Sequence, residues 1–169
     1  MELTTASRKA LLGTLATIGL AAGARSIGAA GEPPGILGAW SLESFVEREK
    51  DGEFEPRFGL NPVGYLMYTP SGRVSAVLGA AHRPPFLSPD GQATTNAERQ
   101  ESVHNFLAYA GRYEVHSDHV LHHVESSIFT DLIGVTLKRG YVLDGNTLTI
   151  TTMPPYIWGT ASKLVWRRT

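Results

Sequence analysis

From Gly38 onward the chain reads as short extended segments separated by turn chemistry. In the first segment, Gly38–Glu49, Trp40 and Leu42 alternate with Ser41 and Glu43; the alternation blurs at Phe45-Val46 and ends at Asp51-Gly52. Val63–Thr69 is apolar or aromatic on both faces, and Pro70-Ser71-Gly72 returns it into Arg73–Leu78. A Pro-rich stretch leads to the one helix the pattern predicts, Thr94–Phe106, where Thr95 and Glu98 fit a capping box and Val103, Phe106 and Leu107 stand at helical spacing. Tyr109–His116 and His119–Ser126 then flank a two-residue Ser117-Asp118 turn. Val135–Leu143 and Thr147–Thr152 flank Asp144-Gly145-Asn146, and Ala161–Arg168 closes the series. These are eight strands, mostly joined by tight hairpins, with one short helix between strands 3 and 4. Sequential hairpins favour a meander, and closing it removes its exposed edges. The expected fold is therefore all-β, an eight-stranded antiparallel up-and-down barrel over residues 38–169, with an interior wide enough for side chains and one small ligand.

The chain ahead of the barrel has a different character. Arg8 and Lys9 precede the apolar run Ala10–Ala22, and Ala22-Gly23-Ala24 and Gly28-Ala29-Ala30 both fit small-residue cleavage sites. Residues 1–30 are expected to be a signal peptide cleaved near Ala24 or Ala30, with 31–37 a Gly/Pro linker. The apolar run is too short for a comfortable membrane span. Ser7-Arg8-Lys9 also resembles a weakened twin-arginine export signal. The expected location is periplasmic or secreted, with no stable membrane span after cleavage.

Composition narrows the chemistry. Of 169 residues, 42% are hydrophobic and 18% charged, with 18 glycines and 10 prolines, which describes a turn-rich globule and not a disordered chain. The formal net charge of −1 gives no field to attract nucleic acid. Cysteine is absent, which excludes disulfides, thiol catalysis, Cys-ligated zinc and iron–sulfur clusters. There is no G-x-S-x-G, G-x-G-x-x-G or P-loop, so serine-hydrolase, dinucleotide and nucleotide-triphosphate readings lack their mechanical parts.

The Tyr109–Ser126 hairpin carries the most specific expectation. A two-residue turn at Ser117-Asp118 pairs Val115 with Val120, Glu114 with Leu121, Tyr113 with His122, Arg112 with His123 and Gly111 with Val124. One face then holds Tyr109, Gly111, Tyr113, Val115, Val120, His122, Val124 and Ser126. The other holds Arg112, Glu114, Leu121, His123 and Glu125. The first is far more apolar and should face the barrel, which puts His122 inside beside Tyr113. Two roles are open to such a His: a core residue satisfied by a tyrosine hydroxyl, or a ligand anchor and general base. Tyr65, Met67 and Tyr68 are further candidates to line the cavity. His82-Arg83-Pro84-Pro85-Phe86 and the helix after it are either a lid or a plain surface loop. The histidine spacing supplies no third metal ligand, so neither a metal nor another cofactor is expected.

Several segments also resemble a known family. Gly38-Ala39-Trp40 and Trp166-Arg167-Arg168 match the lipocalin pattern, in which an early Trp plugs the closed end of the barrel and a late basic residue packs across its ring. Pro62–Arg73, Tyr109–Val115 and His122–Phe129 are similar to the bacterial and fungal lipocalin-like domain family, over roughly residues 36–168. The resemblance implies a lipocalin-like calyx and a small apolar ligand. Thr130-Asp131-Leu132 departs from the Pro-Asn-Trp-like turn of that pattern. The expected function is binding of a small apolar or aromatic molecule, with Tyr109, Tyr113, His122, Ser126, Tyr65 and Met67 as ligand-binding residues. The alternative is a cofactor-independent isomerase, cyclase or hydratase with His122 as base and Tyr113 as its partner.

Overall fold

Eight of the nine strands form a closed antiparallel barrel in the computed structural model, which describes residues 35–48, 52–87 and 94–169. The expected signal peptide and residues 31–34 of the linker lie outside the described residues. The strands are β1 (Gly38–Arg48), β2 (Glu55–Pro56), β3 (Pro62–Tyr68), β4 (Arg73–Ala80), β5 (Phe106–Val115), β6 (His119–Ser127), β7 (Thr136–Asp144), β8 (Thr147–Thr152) and β9 (Ala161–Arg168). Neighbours in sequence pair from β3 to β9. The circuit closes on β1, which pairs with β3 on one side and β9 on the other, Trp40 standing opposite both Leu66 and Arg168.

The two-residue β2, which pairs with β1 at Val46 and Glu47, was not expected from the sequence. It is too short to show any alternation, yet it takes a place in the strand order. The helix α1 (Asn96–His104) consequently follows β4 and does not fall between strands 3 and 4. Its capping box is formed: the Thr95 side chain accepts from Glu98 N–H, and the Glu98 carboxylate accepts from Thr95 N–H at 2.8 Å. Phe106 and Leu107 are not helical. The helix ends at His104 and β5 begins at Phe106, three residues earlier than its alternation indicated. No residue of α1 is buried.

The blurred alternation in β1 has a local cause. The β1–β9 register shifts between Leu42 and Ser44, so Trp40, Leu42 and then Phe45 point inward. The intervening Glu43 turns out and accepts from Arg167 Nε at 2.8 Å.

One end of the barrel is plugged. Trp40 is fully buried and its Nε1 donates to the Ile36 carbonyl at 2.9 Å. The Arg168 guanidinium lies 4.1 Å from the centre of the Trp40 ring and donates to the carbonyls of Leu37 and Gly35. Residues 35–37 of the expected linker thus pack into the plug, with Ile36 in the core. Gly35 has φ +123°, a backbone conformation that L side chains rarely adopt, and a Cβ there would push against the tip of the Leu143 side chain.

Candidate functional site

The β5–β6 hairpin has the register its turn dictates from Val115/Val120 to Gly111/Val124, with Tyr113 opposite His122. Beyond Gly111 the ladder slips, because Ala110 pairs with Ser126 and Glu125 becomes an extra residue. Gly111 permits this. A Cβ at that position would sit 1.9 Å from the His123 carbonyl oxygen. The bulge reverses the faces, so Ser126 is exposed instead of lining the interior. Ser127 takes the part-buried position, donating to the Ala108 carbonyl and accepting from Phe129 N–H. On the outer face, Glu125 pairs with Arg73 and Arg112, and His123 with Glu114, so the charged side chains lie outside the barrel as alternation required.

His122 is 1% exposed and both its ring nitrogens are taken. Tyr68 Oη stands 2.8 Å from Nε2 and Tyr109 Oη 2.8 Å from Nδ1. Burial, with the nearby positive charge of Arg139, pushes the His122 pKa from 6.5 down to about 3. The ring is therefore neutral, with one nitrogen donating and the other accepting. It follows that one tyrosine donates to the ring and the other accepts from it. Burial also raises the pKa of both tyrosines, keeping their hydroxyls protonated.

Tyr113 is the backbone partner of His122, but its hydroxyl donates to the Thr69 carbonyl at 2.9 Å. Its ring meets Tyr68 edge to face at 5.0 Å. The chain thus brings Tyr109, Tyr113 and His122 together and adds Tyr68 to them. Tyr65 and Met67 go elsewhere. They alternate with Leu66 and Tyr68 along β3, and are 57% and 41% exposed on the outer wall. The apolar character of β3 on both faces gave no basis for choosing between the two sets.

The cavity opens at the end opposite the plug. The cavity has a volume of about 70 Å³ and widens into an open mouth. The channel is thus narrow. Its walls are mostly apolar, with Leu66, Leu78, Leu137, Ile150 and Leu164 along its length, and Tyr109 and His122 among its few polar groups. The loop from β8 to β9 supplies the mouth: Met153, Tyr156, Ile157 and Trp158 line it. The Trp158 ring meets Phe129 at 5.3 Å, and its Nε1 donates to Asp131 at 3.1 Å. In the short 3₁₀ turn Thr130–Leu132, Leu132 is buried against the cavity, so the departure from the family's turn gives the wall a Leu. Neither His82–Phe86 nor α1 lines the channel. Arg83 instead packs over Phe106 and bonds to Ser102.

Sequence reasoning missed most of the cavity lining, Glu47, Arg139 and Trp166 among it. Glu47, at the mouth, pairs with Arg57 at 3.2 Å, and its burial raises its pKa against the opposing pull of Arg57. Arg139 and Trp166 also line the cavity. The signal for Arg139 was available: Leu137, Arg139, Tyr141 and Leu143 alternate along β7, which sets one cation on an apolar inward stripe. Among the described residues no three His, Asp or Glu side chains gather as a metal would need, and no helix is long and apolar enough to cross a membrane.

A closed eight-stranded antiparallel barrel, plugged at one end by an Arg-covered Trp and open at the other into an apolar channel, is a calyx, an architecture that binds small ligands. The chain belongs to the lipocalin-like domain family, whose sequence profile matches residues 37–169, the whole of the barrel. No curated protein matches it.

Proposed function

We propose that this chain is an exported protein that holds a small apolar or aromatic molecule in its barrel. The observation that carries the reading is the channel itself, with mostly apolar walls and polar groups that include Tyr109 and His122. Its narrowness favours a slim ligand, planar or linear. Export rests on the basic and apolar pattern of residues 8–22 alone. The isomerase alternative has less support. An imidazole pushed down to about pH 3, with both nitrogens bonded, is a weak base that reaches substrate only through a tyrosine.

Native mass spectrometry of the protein taken from its own host tests the reading. The expected result is a reproducible excess mass that is lost on denaturation. A bare-chain mass, together with no stabilisation in a small-molecule thermal screen, would sink it. Tyr109→Phe should weaken binding of whatever is found while preserving the fold; unchanged affinity removes Tyr109 from the site.

A further inference from the structure

Among the residues lining the channel, Arg139 is the one Lys or Arg side chain. It projects from the inward stripe of β7, opposite Val120 on one side and Thr152 on the other. Among the described residues no carboxylate lies within ion-pair distance of it. The one lining carboxylate, Glu47, is held by Arg57. A guanidinium turned into an apolar channel gives up hydration, and an anion in the same channel would return that loss. The Tyr109 hydroxyl stands beside Arg139, near enough for the two to interact directly. Trp166 adds a second observation. Its side chain is 2% exposed and lines the channel, and its Nε1 has no acceptor. The channel's one carboxylate is thus already engaged, while the Arg139 guanidinium has no carboxylate of its own.

We propose that the ligand is a slender carboxylic acid, its apolar body in the channel and its carboxylate on the Arg139 guanidinium, with the Tyr109 hydroxyl as a further donor while its oxygen accepts from His122 Nδ1–H. A carboxylate accepts two parallel N–H bonds from a guanidinium fork, which fixes direction as well as charge. This rests on the ligand-binding reading above and specifies the polar end of the molecule.

The test is calorimetric titration of the full chain with cinnamate and with cinnamamide, which differ in charge and hardly in shape; decanoate and decanol repeat the comparison on a linear body. The wild type is expected to prefer each acid by about 10-fold or more, the worth of a charge-assisted pair. Arg139→Gln should weaken the acids far more than the neutral probes and so remove the preference. Arg139→Lys should recover part of the preference. Equal affinity for acid and neutral probe in the wild type overturns the carboxylate assignment and leaves the apolar cavity reading standing. No binding by either pair overturns both. If Arg139→Gln fails to fold, Arg139→Met titrated at neutral pH decides: a preference for the acids that survives loss of the guanidinium refutes the ion pair.

Discussion

His122 should make the barrel sensitive to mild acid, well before its carboxylates are neutralised. In the folded chain the imidazole is fully enclosed between Tyr68 and Tyr109, and its pKa lies at about 3 against 6.5 when free. The unfolded chain therefore takes up a proton that the folded chain refuses between those two values. More protons on the unfolded side mean that stability rises with pH across this window. The contribution is complete above about pH 7 and is lost progressively as pH falls towards 3. At about 1.4 kcal/mol per pKa unit, with partial protonation near 6.5, the loss from pH 7 to 5 comes to about 2 kcal/mol. That is a large part of an ordinary domain's stability. Urea denaturation at half-unit pH steps measures it, with His122→Gln run in parallel. Gln does not titrate and can still both donate and accept, while the other five histidines are common to both proteins. The wild type should lose about 2 kcal/mol more than the variant over this interval. Equal slopes, or a His122 ring resonance that titrates near 6.5 in the folded protein, would refute the reasoning.

Two further outcomes follow from the plug and the bulge. Arg168→Ala removes a cation from the Trp40 face and donors from the Leu37 and Gly35 carbonyls, and should cost about 2–3 kcal/mol in chemical denaturation; Arg168→Lys, lacking the fork, should recover less than half. Gly111→Ala drives a methyl to within 1.9 Å of the His123 carbonyl oxygen, so the bulge must open and thermal unfolding should fall by more than 10 °C; a native-like midpoint would show that the bulge does not depend on glycine.

The parts of this molecule legible in its sequence were those set by local chemistry. Ser117-Asp118 fixed the hairpin register, and the contrast between its two faces placed His122 inside and Glu125 outside. Thr95 and Glu98 located the helix start. What escaped depended on distant chain. The Gly111 bulge became visible only with the His123 carbonyl beside it, and it turned Ser126 outward. Alternation names cross-strand neighbours, so it pointed to Tyr113 as the partner of His122. The barrel's curvature brought Tyr68 from across the interior instead. The β8–β9 loop has no period to read, yet it forms the mouth. Arg139 was legible and overlooked, a charge on an otherwise apolar alternation.

The pairing of β1 with β9 also governs how the chain can be made. Trp40 finds one neighbour in Leu66, soon after it in sequence, and the other in Arg168, on the last strand of the barrel. Contacts that span so much chain form late and carry a high closure entropy. Without residues 161–168, β1 and β8 lose the strand that joins them, and each is left with a bare edge. Loss of residues 161–168 therefore does not give a slightly smaller barrel. It gives a sheet whose unpaired edge matches β9, free to recruit that strand from an intact copy.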